Sequence, residues 1–453
     1  MTDYIPRKID ADLLEWKDSA DRKPLLLRGA RQVGKSWAVR NLGKSFENIL
    51  EINFENKDFA AAKKVFEKHS SPHLICDELS VLYDAPIKEG KTLLFLDEIQ
   101  ACPDAISALR YFYEQMPGLH VIAAGSLLEF ALQRIPSYAV GRIRSMHMYP
   151  FSFEEFLLSQ KRSLLLQKLK DASPENPVSD EIHKKLSELF LRFLVIGGMP
   201  EAVAKYAASG SMLECQNILD DLTNAFFIDF AKYKERVPGI RLEEVFSCII
   251  EQTGQKFSYS QAVSSARHVN ANHTQIKESI DLLKMAGLVY SVTHSSANGL
   301  PLSASINPRY RKLMVFDTGV YQRFLRLDLS NLLLDNKIEQ INKGALAEMF
   351  AGTELVKAQN NRIPAELYYW QREKSGSTAE VDYVVPIGQE IIPVEVKAGT
   401  KGAMQSMFLF LKEKQRPYGI RCSMENFGAF QNIKIYPLYT AGRITELTAF
   451  PID

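Results

Sequence analysis

The sequence predicts an α/β protein of several domains, and three stretches carry that prediction. The first is Gly29-Ala30-Arg31-Gln32-Val33-Gly34-Lys35-Ser36, set between the apolar run Pro24-Leu25-Leu26-Leu27 and the helix-compatible Trp37-Ala38-Val39-Arg40-Asn41-Leu42. The second is Lys91-Thr92-Leu93-Leu94-Phe95-Leu96-Asp97-Glu98, an apolar strand that ends in two acids. The third is the late order of a long helix over 344–358 and three strands over 366–370, 379–385 and 390–397. Together they predict a three-layer phosphate-loop core over 1–160 and a helical lid over 161–235. A winged-helix middle domain over 236–300, a linker over 301–334 and a last α/β domain over 335–453 follow.

A lead-in helix over 10–18 ends at the polar turn Asp18-Ser19-Ala20-Asp21, and the loop follows. Its spacing, G-x-x-x-x-G-K-S, has a physical reason. Glycines let the backbone curl so that successive N–H groups point at a phosphate, and the next helix adds its positive end. Lys35 then reaches the β- and γ-phosphates as a point charge, and the Ser36 hydroxyl sits on Mg²⁺. Gly29 through Ser36, with Trp37 in the first helical turn, form the nucleotide-binding set.

A strand over 49–54 and a helix over 59–68 lead to the acidic strand. Ligands of open α/β sheets bind at the carboxyl ends of strands, where Asp97 and Glu98 stand. Asp97 is suited to the Mg²⁺ shell, and Glu98 to orienting and deprotonating an attacking water. A helix over 105–114 and the strand Leu119-His120-Val121-Ile122-Ala123-Ala124 end at Gly125-Ser126. Ser126 is placed to sense the γ-phosphate; the alternative is a plain cap for a helix over 127–132. Arg142 or Arg144 is a candidate for stabilising transition-state charge, in cis or from a second copy, against the alternative of a solvated loop arginine.

Ser152, with Glu155 three residues on, reads as a capped helix start. Helical patterns continue over 181–195, break at Gly197-Gly198-Met199-Pro200, and resume through 220–234. Three short helices over 242–252, 260–267 and 273–285 precede a strand over 287–292, the order of a winged helix. Its third helix offers Gln275, Lys277 and Lys284 to a DNA groove, but Glu278 and Asp281 blunt that attraction. Packing against protein is the alternative.

In the last domain Asp382 interrupts an apolar strand, and thirteen residues later comes Glu395-Val396-Lys397. Positions two apart on a strand share a face, and a hairpin brings Asp382 beside them. Glu348, on the preceding helix, adds a third carboxylate. Acids that hold an octahedral metal and a lysine that orients water suit Mg²⁺-assisted phosphodiester cleavage. The pattern resembles the D…E-x-K set of restriction-endonuclease-like nucleases. The alternative is a retained fold whose acids form a structural ion-pair cluster.

Bulk properties are those of an ordinary globular chain of 453 residues. Fifty-five Lys and Arg balance 54 Asp and Glu, so overall charge gives no argument for nucleic acid. Five scattered cysteines without C-x-x-C spacing suit a reduced, cytoplasmic protein, and no apolar run is long enough for a membrane.

Taken together, the loop segment 28–36, Leu96-Asp97-Glu98-Ile99-Gln100, Gly125-Ser126, Gly197-Gly198-Met199-Pro200-Glu201, Glu380-Val381-Asp382-Tyr383 and Pro393-Val394-Glu395-Val396-Lys397 resemble one known family. It is a prokaryotic family of AAA-type ATPases fused to a C-terminal domain of unknown function with a nuclease-like core. The resemblance spans almost the whole chain and is most specific in its first half. It implies ATP binding through Lys35, Ser36 and Asp97 and hydrolysis assisted by Glu98. The chain departs from the pattern in lacking a clear second-sensor arginine in the helical lid, which speaks against the usual ring mechanism. Two functions remain open: an ATPase whose cycle serves a DNA-associated nuclease-like domain, and a nucleotide-dependent switch acting on a protein partner or second copy without cleavage.

Overall fold

Apolar runs of four to six residues, each ending near a turn or an acid, form a parallel sheet because both faces can be buried. In a computed structural model of the chain such runs form β1 (Leu25–Arg28), β3 (Thr92–Asp97) and β4 (His120–Ala124), and the more polar β2 (Asn48–Asn53) and β5 (Arg144–His147) are the sheet's edges. The structure describes residues 4–125, 132, 141–230, 237–265, 272–326, 343–374, 376–399, 402 and 404–446. The chain divides into two compact units. The first comprises 1–149 with the short segments 285–287 and 360–364, and the second comprises the rest.

In the first unit the strand order is β2-β3-β4-β1-β5, with every pairing parallel. Leu26, Leu50, Ile52, Leu94, Leu96, Val121 and Ala123 bury one sheet face beneath the helices Ala60–Lys68, Pro72–Leu82 and Pro103–Gln115. Leu25, Leu27, Leu93, Phe95, Ile122 and Ala124 are fully buried on the alternate face, and the helix Lys35–Gly43 packs against β2, β3 and β4. These are the expected three layers. The first unit ends at Tyr149, and the Ser152-capped helix Phe153–Ser159 falls in the second. Its capping box is formed as anticipated, with Ser152 and Glu155 each accepting the other's backbone N–H.

The second unit begins with helices, among them Asp180–Ile196, Pro200–Ser209 and Met212–Phe230. Its sheet has the order β12-β13-β11-β10-β9-β8-β6-β7. The strands are β6 (Val289–Ser295), β7 (Ile306–Val315), β8 (Leu367–Gln371), β9 (Glu380–Ile387), β10 (Glu390–Val396), β11 (Gly419–Ser423), β12 (Gly428–Phe430) and β13 (Ile433–Pro437). The helix Gln405–Lys414 covers Trp370, Val381, Val384 and Ile391 with Met407, Phe410 and Leu411.

One expectation is corrected in this unit. The stretch 301–334 is not a linker through its described part. It holds β7, whose last four residues are buried, and the helix Thr318–Phe324. The polar start of that strand, Asn307 to Lys312, hides the alternation in the sequence. The helices Gly239–Glu251, Tyr259–Ser265 and His273–Met285 do precede an antiparallel β6–β7 pair, as a winged helix requires. That pair does not stand alone. The other edge of β6 is hydrogen-bonded to β8, which makes it part of the eight-stranded sheet.

The Gly197-Gly198-Met199-Pro200 break has a local cause. Asp317 caps the helix Thr318–Phe324 by accepting the Val320 N–H, and its other oxygen accepts the Gly198 N–H at 2.6 Å. A Cβ on Gly197, at φ +71°, would meet Asp317 Oδ1, so only glycine fits that turn.

Candidate nucleotide site

The loop between β1 and the helix Lys35–Gly43 is held by three positive-φ residues, Gly29 (142°), Gln32 (63°) and Gly34 (97°). Gly29 has no alternative, since a Cβ there would lie 2.2 Å from the Met148 carbonyl oxygen. Ala30 and Val33 are buried beneath the loop. Arg7, buried, donates to the Val33 carbonyl at 3.1 Å and to the Tyr149 carbonyl at 2.7 Å. No signal in the sequence points to Arg7, which reaches the loop from 26 residues away.

Lys35 is 7% exposed, and its ammonium donates to the Gly29 and Ala30 carbonyls at 2.9 and 2.8 Å. The loop thus curls around the lysine that would meet phosphate. Burial brings the Lys35 ammonium down to about 8, against the opposing pull of Glu98 and Asp97. Ser36 Oγ donates to Asp97 Oδ2 at 2.9 Å across 61 residues of sequence, and the Glu98 N–H donates to Asp97 Oδ1. Burial pushes the Asp97 carboxyl upward, partly offset by these bonds. Ser36 and Asp97 supply adjacent hard oxygen donors, the set that Mg²⁺ takes when it also binds phosphate oxygens. Glu98 has left-handed backbone (φ 49°, ψ 44°), a strained geometry for a side chain of its type, and such strain concentrates at functional sites. Gln100 Nε2 donates to Glu98 Oε2. Both belong to the motif Leu96-Asp97-Glu98-Ile99-Gln100, in which nothing marks Gln100 for this role. Trp37 stands 53% exposed in the first turn of the helix.

Two other candidates fare differently. Ser126 lies outside the described residues. Arg142 is corrected as a finger in cis: Leu25, the first residue of β1, pairs with Arg144, so Arg142 lies at the amino end of the strands while the loop leaves their carboxyl end. It forms an ion pair with Glu114 at 2.5 Å, and Gly141 beside it accepts from Lys23. The sequence alone could not give this, because it does not say which strand end a connecting loop faces.

In the second unit the four predicted residues do share one neighbourhood. Glu395 and Lys397 bond each other at 2.7 Å, and Asp382 Oδ2 accepts the Val396 N–H at 2.8 Å. The sequence missed the group at the centre. Lys312 of β7, 3% exposed, donates to Glu348 Oε1 at 2.8 Å, lies 2.5 Å from Glu380 Oε1 and faces Asp382 Oδ1 at 3.9 Å. Desolvation lowers the Lys312 ammonium, but Glu348, Asp382 and Glu380 more than reverse it, so the lysine stays charged. Burial raises the Glu348, Asp382 and Glu395 carboxyls. Glu395 Oε2 is buried without a hydrogen bond. Among the described residues, no three His, Cys, Asp or Glu side chains are arranged to hold a metal ion. With the Lys312 ammonium among its acids, the cluster as it stands does not fit the metal expected there.

Comparison with known proteins divides the chain in three. Residues 21–157 match a family described as an AAA domain, 187–331 a domain of unknown function (DUF8612), and 343–441 a second domain of unknown function (DUF4143). No curated protein sequence matches the chain. Among solved structures, the Walker-type ATPase PABY2304 of Pyrococcus abyssi is similar at 17% identity, over 72% of this chain and 97% of that one, with a TM-score of 0.46. The Orc1 protein of Aeropyrum pernix in complex with DNA is similar at 12% identity over 75% and 97%, and a RuvB variant of Thermotoga maritima at 13% over 72% and 96%, each with a TM-score of 0.32. No helix among the described residues is long and apolar enough to cross a membrane. Residues 21–157 thus match an AAA domain, and the loop and acid geometry above is that of a P-loop.

Proposed function

We propose that this protein binds ATP with Mg²⁺ and hydrolyses it at the P-loop site of its first unit. The observation that carries the reading is the Ser36–Asp97 hydrogen bond beside the buried Lys35, which joins the phosphate loop to the acidic strand end. Gly29 through Ser36 cradle the phosphates with backbone N–H groups, and Lys35 exchanges its two carbonyl partners for phosphate oxygens. Ser36 and Asp97 are the residues that would hold Mg²⁺, which supplies neutralising charge at the β- and γ-oxygens. Glu98 orients the attacking water and takes its proton. Calorimetric titration with a non-hydrolysable ATP analogue tests binding, and Lys35→Ala should abolish or strongly weaken it. Glu98→Gln should still bind while turnover falls by about 10² or more. Unchanged hydrolysis in that variant would remove Glu98 from its role.

For the second unit we favour a nucleotide-dependent switch without strand cleavage over a nuclease. The observation is Lys312, whose ammonium stands among the acids that a nuclease would devote to metal. DNA, a protein partner or a second copy of the chain is the object such a switch would act on. Plasmid and single-stranded DNA incubated with Mg²⁺ or Mn²⁺, with and without ATP, should stay intact; Asp382-dependent cleavage would restore the nuclease reading.

A further inference from the structure

We propose that the ammonium of Lys312 is the resident cation of the carboxylate cluster in the second unit and keeps a divalent metal out of it. This deepens the reading of that unit as a non-cleaving fold. Its readout is metal binding, which can fail independently of any result on DNA.

A lysine ammonium is a compact point charge with three donors. That of Lys312 lies 2.8 Å from Glu348, 2.5 Å from Glu380 and 3.9 Å from Asp382, over the Tyr369 ring at 5.3 Å. Three acidic side chains from the helix Lys343–Ala358 and from β9 therefore converge on one buried cation. Three of the other oxygens have partners of their own. Asp382 Oδ2 takes the Val396 N–H, Glu395 Oε1 takes Lys397, and Glu380 Oε2 lies 3.8 Å from Lys256. A hard divalent ion needs about six oxygens around one point. Here the shared point is already occupied by nitrogen, and a second cation beside it would meet unscreened repulsion in a buried setting.

The acids are not grouped around a metal point as they stand, but once the ammonium is gone their charge would draw them around one. Four carboxylates, Glu348, Glu380, Asp382 and Glu395, face Lys312, Lys397 and, at the outer oxygen of Glu380, Lys256, and Glu395 Oε2 is a buried acceptor without a hydrogen bond. Neutralising Lys312 would leave two ammoniums, Lys397 and the outlying Lys256, for four acids, an imbalance that a divalent cation relieves.

The test uses the nucleotide-free full chain carrying Asp97→Asn, so that the P-loop site contributes no ligand. Mn²⁺ is titrated by calorimetry and by the electron paramagnetic resonance signal of the free ion. With Lys312 in place, no Mn²⁺ should bind at the cluster. Lys312→Met should gain one Mn²⁺ per chain, lose it again with Asp382→Asn, and show a Mn²⁺-dependent rise in its unfolding midpoint that the parent lacks. Asp382-dependent Mn²⁺ binding by the parent would overturn the proposal. So would a folded Lys312→Met chain that binds none. If Lys312→Met alone does not fold, Lys312→Met with Glu380→Gln removes one acid with the ammonium and is read by the same two outcomes.

Discussion

The amide nitrogen of Gln100 donates to Glu98 Oε2 at 2.5 Å, so the proposed base is held by a side chain two residues further along its own turn. The other end of that amide, Gln100 Oε1, is buried without a hydrogen bond. With its backbone strained at φ 49°, Glu98 is aimed from both ends. Gln100→Ala should leave affinity for an ATP analogue within about twofold and lower kcat about tenfold, part of the roughly 10²-fold or larger effect of a general base. Gln100→Glu keeps the shape but replaces the donor with a like charge, and should be at least as damaging. Steady-state hydrolysis beside analogue titration checks both; a change in KM alone would refute the assignment.

Gly29→Ala should disable the loop without touching a phosphate-facing side chain. The added methyl would collide with the Met148 carbonyl, which lies on the backbone that follows β5 and cannot simply swing away. Analogue affinity should drop at least about tenfold, about 1.4 kcal/mol. Wild-type binding in this variant would show that the loop is looser than its geometry implies.

His120 predicts a pH dependence of stability. Its ring is 5% exposed, meets Lys17 O at 3.2 Å and packs edge-on to Phe46 and Trp16, while Nδ1 is buried without a partner. Burial lowers it from 6.5 to about 4, helped by Arg22 and Lys17 and opposed by the Lys17 carbonyl and Asp18. Between those values the unfolded chain binds the proton and the folded chain does not. The contribution is therefore present above pH 6.5 and is lost as pH falls towards 4, reaching about 3 kcal/mol at full effect. Denaturant midpoints from pH 7.5 to 4.5 should fall less steeply in His120→Gln than in the wild type.

Asp317→Ala should destabilise the second unit by roughly 2–4 kcal/mol, since it removes a helix cap and orphans the buried N–H groups of Val320 and Gly198. Asp317→Asn, which keeps one acceptor oxygen, should cost less. The midpoint of urea unfolding followed in the second unit measures the order of the two.

What the sequence disclosed follows the range of the forces involved. The phosphate loop is legible because eight consecutive residues determine its curl, and Asp97 because an apolar strand has one carboxyl end. The Glu395–Lys397 bond follows from strand periodicity. Lys312 was not legible. It closes the basic stretch Arg309-Tyr310-Arg311-Lys312, which reads as a solvated face, and its burial is decided by Glu348 and Glu380, 36 and 68 residues away. Arg142 misled for a related reason, since charge and proximity in sequence carry no information about which end of the sheet a loop crosses.

The β6–β8 pairing separates two notions of a module. The stretches 187–331 and 343–441 are distinct as sequence families, yet β6 and β7 come from one and β8 to β13 from the other, in a single hydrogen-bonded sheet. A fragment beginning near residue 335 would leave β8 with a bare edge of unpaired N–H and C=O groups, an invitation to self-association, and would leave Glu348 and Glu380 without their cation. Cut between them, each stretch would lose the strand its edge pairs with, so the joint of this chain lies at the outer edges of the pair rather than in the gap between them.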